Sequence, residues 1–160
     1  MALKDTENFL KENDIDNVRM IIVDINGTPL GKRLPPKKFL MVCEHGMSFS
    51  SGIFNLLIDS DIIPELDGAG GFSSGFPDVV AWPDLNTLRL VPWETRTAMV
   101  ICDVLNRDGT EIPYDARTVL KKQVEKMKSR PFGMLAGMEY EFYALKETSD
   151  SLAEKNWNNR

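Results

Sequence analysis

The residues with the clearest chemical potential are two glutamates near the end of the chain. Residues 134–145 follow the period of two that is typical of a β-strand, which places Glu139 and Glu141 on one face, about 7 Å apart. Like charges this close repel each other. Burying both carboxylates among apolar residues is costly unless a cation neutralises the pair. Mg²⁺ or Mn²⁺ could do so, because both ions accept oxygen ligands. From the pattern alone, a half-exposed strand with solvated acids is favoured over a metal site.

Few other residues could do chemistry. His45, the only histidine, falls in a predicted helix and is interpreted as structural. Cys43 and Cys102 lie far apart in apolar surroundings, which predicts buried free thiols and no disulfide. The glycine- and serine-rich stretch 67–75 lacks the lysine of a P-loop and the spacing of a dinucleotide loop. Its composition favours a mobile surface loop.

Composition limits the classes of protein to which these residues can belong. The chain has 160 residues, 42% hydrophobic and 27% charged, as in a soluble globular protein with one ordinary domain. A net charge of −5 without a basic stripe argues against nucleic acid as a partner. No apolar stretch approaches the roughly 18 residues of a membrane span, and the polar N-terminus lacks a signal-peptide core. The sequence therefore predicts a cytoplasmic protein with no membrane partner.

The first half of the chain predicts two helices and a hairpin. Asp5 or Thr6 can cap a helix within residues 1–14. Residues 18–25 and 30–34 predict a hairpin around a type I′ turn at Asn26-Gly27. The pair Pro35-Pro36 then opens a helix over residues 37–44, which Gly46 ends.

The second half predicts strands and one amphipathic helix. Before that helix, strands are predicted at 53–58, 78–82, 87–91 and 98–105. Asp115 caps the helix, whose stripe at helical spacing comprises Ala116, Val119, Leu120, Gln123, Val124 and Met127. Because strands and helices do not alternate strictly, an α+β fold with a mixed or antiparallel sheet is favoured over a doubly wound one.

Several motifs, taken in order, resemble those of the glutamine synthetase family. Residues 83–87 read P-D-L-N-T and lead into a predicted strand and the step Pro92-Trp93. Residues 113–117 read P-Y-D-A-R, similar to the family's P-x-x-x-R helix start, and residues 137–142 read G-M-E-Y-E-F against its G-x-E-x-E-F. The resemblance covers nearly the whole chain from about Val18.

The resemblance implies a domain plan. A helix at residues 1–14 would precede a β-grasp-like N-terminal domain with a mixed sheet at 15–112. Residues 113–160 would supply the first helix and strand of a truncated catalytic domain. Each active site in the family lies between one subunit's catalytic domain and its neighbour's N-terminal domain, so a homo-oligomeric ring is expected.

The resemblance also implies a reaction. Family members use ATP to join the γ-carboxyl of glutamate to ammonia or a larger amine through γ-glutamyl phosphate, with Mg²⁺ or Mn²⁺ at the reacting centre. Glu139 and Glu141 carry over as ligands of two different metal ions. The family's other metal ligands and its ATP and glutamate residues would lie beyond residue 160. These 160 residues alone are therefore expected to be inactive and to bind no cofactor tightly. A non-catalytic paralogue or a truncated structural protein of the family stays open.

One departure from the family pattern bears on the amine. Ammonia-using members carry an Asp-Gly-Ser-Ser segment, whereas residues 48–53 contain no aspartate. This difference favours a larger amine, as in a γ-glutamyl-polyamine ligase, or a non-enzymatic lengsin-like branch. Asp78 is a possible catalytic acid near the neighbouring subunit's site, and Asp84 is interpreted as a turn-former.

Overall fold

The computed structural model describes residues 1–57, 59–63 and 71–158. Its helices and strands are α1 (Leu3–Glu12), β1 (Asn17–Val23), β2 (Pro29–Leu34), α2 (Pro36–His45), β3 (Met47–Ser50), β4 (Asp78–Pro83), β5 (Arg89–Leu90), β6 (Thr97–Asn106), α3 (Ala116–Lys128) and α4 (Ser149–Glu154). Helices beside a mixed sheet confirm the predicted α+β class. None of the helices described is long and apolar enough to cross a membrane.

The strands form one mixed sheet with β6 at its centre. The order is β2-β1-β6-β4-β3, and the short strand β5 also pairs with β6. Strand β1 runs parallel to β6, from Asn17 opposite Thr97 to Ile21 opposite Ile101, and all other pairs of strands are antiparallel. Strands separated by about 80 residues of sequence thus lie side by side.

The core lies on one face of this sheet. Because side chains alternate across a strand, every second residue of β1 and β6 is buried. These residues are Val18, Met20, Ile22, Ala98, Val100, Cys102 and Val104. Buried Phe39 and Val42 of α2 and Leu10 of α1 belong to the same cluster. Apart from buried Thr97, the alternate residues of these two strands, among them Arg19 and Asp103, are only half-buried.

The predicted hairpin is confirmed, but its turn differs from the prediction. Strands β1 and β2 pair from Val18 opposite Leu34 to Val23 opposite Pro29. A type I′ turn needs positive φ at both central residues, and of the two only Gly27 has one, at +82°. Buried Asp24 instead organises the turn, since its Oδ1 accepts hydrogen bonds from the backbone N–H groups of Asn26 and Thr28 at 2.9 and 2.7 Å.

The predicted helices form, although the first has a different N-cap. Helix α1 begins at Leu3 with Ala2 as N-cap, so neither Asp5 nor Thr6 caps it. The start lies earlier because the Asp5 carboxylate reaches back to accept a hydrogen bond from the Ala2 N–H at 3.3 Å. Helix α2 ends at Gly46 as predicted, and the Asp115 side chain caps α3 by accepting from the N–H of Thr118 at 2.7 Å.

Two predicted strands are wrong in whole or in part. Ser51–Asn55 forms a 3₁₀ turn where residues 53–58 were predicted as a strand, and residue 58 lies outside the described residues. A short apolar run has no periodicity that separates a strand from a buried turn. Within 87–91, only Arg89–Leu90 is a strand, since a 3₁₀ turn at Leu85–Thr87 takes up the start.

The strands predicted at 78–82 and 98–105 form as β4 and β6. The glycine-rich stretch lies outside the described residues up to position 70. Its described part includes a 3₁₀ turn at Phe72–Ser74, which ends at Gly75 in the left-handed conformation.

Candidate functional site

Glu139 and Glu141 lie in an extended segment that is not a strand. No strand is assigned between residues 131 and 146, and both glutamates are exposed. The predicted strand Met134–Leu145 is therefore wrong for this chain. A strand exists only through hydrogen bonds to a neighbour, and none of the described strands pairs with this segment. Alternation of residue types marks a segment suited to a sheet without supplying its partner.

The chemistry of the two glutamates fits a hard divalent ion only in part. Carboxylate oxygens are the donors that Mg²⁺ and Mn²⁺ take. Among the residues that the structure describes, however, no group of three or more His, Cys, Asp or Glu side chains is arranged to hold a metal. Mg²⁺ is held in near-octahedral geometry, so two side chains leave most positions to other ligands. Glu139 and Glu141 can contribute to a metal site, but with the described residues they do not complete one.

Asp78 lies at a second candidate location, on β4 next to the edge strand β3 of the sheet. It begins β4 and stands opposite Ser50 of β3, so the structure brings it beside the segment 48–53 that the sequence singled out. Asp78 is exposed and lines a cleft of about 420 Å³. The other residues lining this cleft include Ser51, Arg107, Asp108 and Tyr114.

The cleft contains groups that can bind a polar ligand. Buried Ser51 has a hydroxyl with no hydrogen-bond partner among the described residues. Hydrogen bonds from the side chain and backbone of Thr110 hold the pKa of Asp108 below its usual value, so this carboxylate is ionised at neutral pH. The ring of Tyr114 packs edge-on against Phe54, with centroids 5.3 Å apart. Burial raises the pKa of Tyr114, which keeps its phenol neutral.

The structure gives Asp84 a second role that the sequence did not reveal. As predicted, Asp84 serves a turn, because its Oδ1 accepts a hydrogen bond from the Asn86 N–H at 3.2 Å. Its other oxygen pairs with Arg117 at the start of α3. Nothing in the spacing of two residues 33 positions apart predicts this ion pair. The only hint was that both residues belong to recognisable motifs.

Of the remaining candidates, His45 is the last residue of α2 and is exposed. Both cysteines are free thiols, and Cys102 is buried as predicted, whereas Cys43 is only half-buried.

Comparison with known proteins identifies the family. No family model matches the chain. A glutamate–isopropylamine ligase of a Pseudomonas species is 33% identical over 150 residues, which are 93% of this chain and 32% of that protein. Type-1 glutamine synthetase 2 of Dictyostelium discoideum is 32% identical over 152 residues, 95% of this chain and 29% of that protein. The chain belongs to the glutamine synthetase family.

The solved structure of GmaS without ligand has the same fold, with a TM-score of 0.59 at 20% identity over 76% of this chain and 25% of that one. The likeness confirms that the curled mixed sheet is that of the N-terminal domain of glutamine synthetases. The chain spans about a third of the length of the curated relatives it matches.

Proposed function

We propose that this chain is the N-terminal portion of an ATP-dependent ligase that joins the γ-carboxyl of glutamate to an amine through γ-glutamyl phosphate. The observation that carries the proposal is the 33% identity, over 93% of the chain, to a protein named for ligating glutamate to isopropylamine. In this proposal residues 1–14 form the leading helix, 15–112 the sheet domain and 113–160 the start of the catalytic domain. The active protein would be a homo-oligomeric ring.

Glu139 and Glu141 would each ligate one of two divalent ions, together with groups that these 160 residues do not contain. When bound, Mg²⁺ or Mn²⁺ would neutralise phosphate charge at the reacting centre. The contribution of this chain is two carboxylates on an extended segment that a neighbouring strand can pair with. Without the rest of the family's length, we expect the chain neither to bind ATP tightly nor to catalyse ligation.

The cleft at Asp78 would receive the amine, and we propose a substrate larger than ammonia. Ser50 stands opposite Asp78 in a segment without aspartate, so fewer carboxylates face a small cation there. Asp78 and Asp108 against Arg107 still leave the cleft with a net negative charge, which suits an alkylammonium group. The aromatic ring of Tyr114 gives the alkyl part an apolar contact.

The decisive experiment measures amine-dependent phosphate release by a protein that carries this chain and the rest of the family's length. With glutamate, ATP and Mg²⁺, we expect isopropylamine, methylamine or putrescine to support turnover faster than ammonium. Glu139→Gln and Glu141→Gln should each lower kcat by on the order of 100-fold or more, since each removes a metal ligand. Glu125→Gln, which alters another exposed carboxylate, is the matched control.

The outcomes distinguish an active ligase from a non-catalytic paralogue of the family. If no amine supports turnover and Mn²⁺ does not bind by calorimetry, the protein is the non-catalytic paralogue. Faster turnover with ammonium than with any alkylamine would reject the larger substrate but keep the ligase.

The role of Asp78 is tested separately in the same assay. We expect Asp78→Asn to raise the KM for the amine by about tenfold while changing kcat less, because the carboxylate contacts the ammonium group and not the phosphate. Asp61→Asn, at another exposed aspartate, serves as its control. An unchanged KM would remove Asp78 from the amine site.

A further inference from the structure

Helix α3 is attached to the sheet domain mainly by polar contacts. Of its thirteen residues, all of which the structure describes, only Thr118 is buried. The apolar residues Val119, Leu120 and Val124 of its predicted stripe are exposed, Leu120 to 60%. Apolar burial, usually the main source of helix attachment, therefore contributes little beyond the first turn.

Ion pairs, and not apolar burial, attach α3 to the sheet domain. Arg117 donates through Nε to Asp103 Oδ1 at 2.7 Å and through Nη2 to Asp84 Oδ2. One turn further along, Lys121 Nζ donates to the second oxygen of Asp103 at 2.6 Å. The side chains of Arg117, Asp84 and Asp103 are 24%, 20% and 30% exposed, so water screens these pairs less than it screens ordinary surface pairs.

Both aspartates are fixed to the sheet. Asp103 is a residue of the central strand β6. Asp84 precedes the 3₁₀ turn, and its N–H donates to the Ile101 carbonyl at 2.9 Å. Thr87 closes the turn, because its hydroxyl donates to the Asp84 carbonyl at 2.7 Å and accepts from the Ile101 N–H at 2.8 Å. Arg117 thus joins α3 to two separate parts of the sheet domain.

The ionisation of Asp103 is consistent with these contacts. Burial by itself would raise the pKa of Asp103, yet the hydrogen bonds and charges of Lys121 and Arg117 outweigh it and hold the pKa below its usual value. Asp103 is consequently ionised and available for both pairs at neutral pH.

We propose that Arg117 is a positioning residue that holds α3 against the sheet through Asp84 and Asp103, and so fixes where the segment with Glu139 and Glu141 leaves the sheet domain. The attachment of α3 follows from the contacts alone. Its value for placing the two carboxylates rests on the proposed function.

Amide hydrogen exchange of the 160-residue chain tests the attachment. In Arg117→Gln we expect the α3 amides to exchange about tenfold faster or more, since two charge-assisted hydrogen bonds are lost. The amides of β1 and β6 should keep their rates. Lys128→Gln, which removes the exposed pair with Glu125 at the other end of α3, is the matched control and should leave the first turns unchanged.

Two further measurements distinguish a positioning role of Arg117 from simple packing of its side chain. Arg117→Lys should restore part of the protection, because an ammonium group can pair with an aspartate but lacks the planar fork that reaches both. Raising the salt concentration from 0.1 to 1 M should speed α3 exchange in the unmodified chain and have a smaller effect in Arg117→Gln, where the pair of Lys121 with Asp103 is still present to be screened.

Unchanged α3 rates in Arg117→Gln would overturn the proposal, and so would equal acceleration of the sheet amides. If that variant does not fold, Asp84→Asn removes the charge of one of the two aspartates that Arg117 pairs with, and α3 rates that stay unchanged in it would equally contradict the proposal. The measurement uses no metal, ATP or amine, so its failure is distinct from a failure of the proposed ligase.

Discussion

At the scale of single residues, Cys43 and Cys102 lie in surroundings that disfavour the thiolate. Burial raises the pKa of Cys43 to about 11 and that of Cys102 to about 12. The desolvated thiolate of Cys102 in the core is the more costly of the two, since an ion loses hydration there. At ordinary pH both side chains are neutral apolar groups and poor nucleophiles.

We therefore expect both thiols to resist alkylation in the folded chain. Against a thiol pKa of 9.0, the raised values lower the thiolate fraction at pH 8 about 100-fold at Cys43 and about 1000-fold at Cys102. Iodoacetamide labelling followed by mass spectrometry should show the fastest reaction for both thiols in the unfolded chain, a slower one for Cys43 in the folded chain and the slowest for Cys102. Labelling in guanidinium chloride is the control, and equal rates for Cys102 in both states would contradict the buried environment.

Arg117 and Asp84 illustrate what residue types alone cannot reveal. Asp84 followed by Asn86 in P-D-L-N is sufficient to predict a turn, because the side chain bonds to its own local backbone. The partner of its second oxygen comes from α3 and depends on how the chain returns over the sheet. Such long-range ion pairs leave no periodicity in the sequence.

At the scale of elements, Gly46 is the residue on which the step from α2 to β3 depends. Its φ of +69° and ψ of 178° lie in a region that glycine alone occupies readily. A Cβ placed there would come within 2.4 Å of the Val80 Cγ1 and 3.0 Å of the Trp82 ring. The helix can therefore approach β4 only without a side chain at this position.

We expect Gly46→Ala to lower the free energy of unfolding by about 2–4 kcal/mol, from backbone strain together with the clash. Gly109→Ala provides the matched control. Its φ is +83° but nothing lies within 4 Å of the added Cβ, so it should cost only about 1 kcal/mol. Urea denaturation of the two variants measures the difference, and equal losses would show that the Val80 contact is relieved without cost.

The elements that sequence predicted best are those whose signals are local. The hairpin β1–β2, α2 with its glycine stop and α3 with its Asp115 cap all follow from adjacent turn and cap residues. The 3₁₀ turn at Ser51–Asn55 was missed because its apolar residues are buried by distant neighbours. The extended segment at 134–145 carries a strand's pattern, but pairing is decided by whatever lies beside it.

The residues of the candidate site also differ in whether the sequence alone could predict them. Glu139 and Glu141 could be proposed from an ordered set of motifs, and Asp78 as an acidic residue that remains when the segment 48–53 has no aspartate. The orphaned Ser51 hydroxyl and the aromatic wall of Tyr114 in the same cleft could not, because only the folded sheet brings their segments together.

At the scale of the whole molecule, a large apolar surface is exposed at the C-terminal end of the described chain. It comprises Val119, Leu120, Val124, Phe132, Met134, Leu135, Met138, Tyr140, Phe142, Tyr143 and Leu145. Tyr143 is 95% exposed and Phe142 84%. Soluble monomers rarely expose so many neighbouring apolar side chains.

We expect the isolated 160-residue chain to self-associate through this surface or to fray there. Sedimentation velocity over a range of concentrations should show species larger than 18.1 kDa. Phe142→Lys with Tyr143→Lys should reduce association, because charges placed on an unpaired extended segment oppose pairing with another chain. Trp93→Lys, at a residue 73% exposed elsewhere on the sheet domain, is the control. A monodisperse monomer with protected amides across 134–145 would count against this expectation.

The parallel pairing of β1 with β6 also sets an order of events during synthesis. The hairpin of β1 and β2 needs only neighbouring residues and can close as soon as residues 17–34 have left the ribosome. The other edge of β1 has no partner until residues 97–101 emerge, because those residues form the facing part of β6. For the time that the ribosome takes to add about 65 residues, at roughly 5–20 per second, the nascent chain exposes the side chains that will become its core. Until β6 forms, β1 therefore presents an unpaired edge, the feature through which strands of separate chains associate.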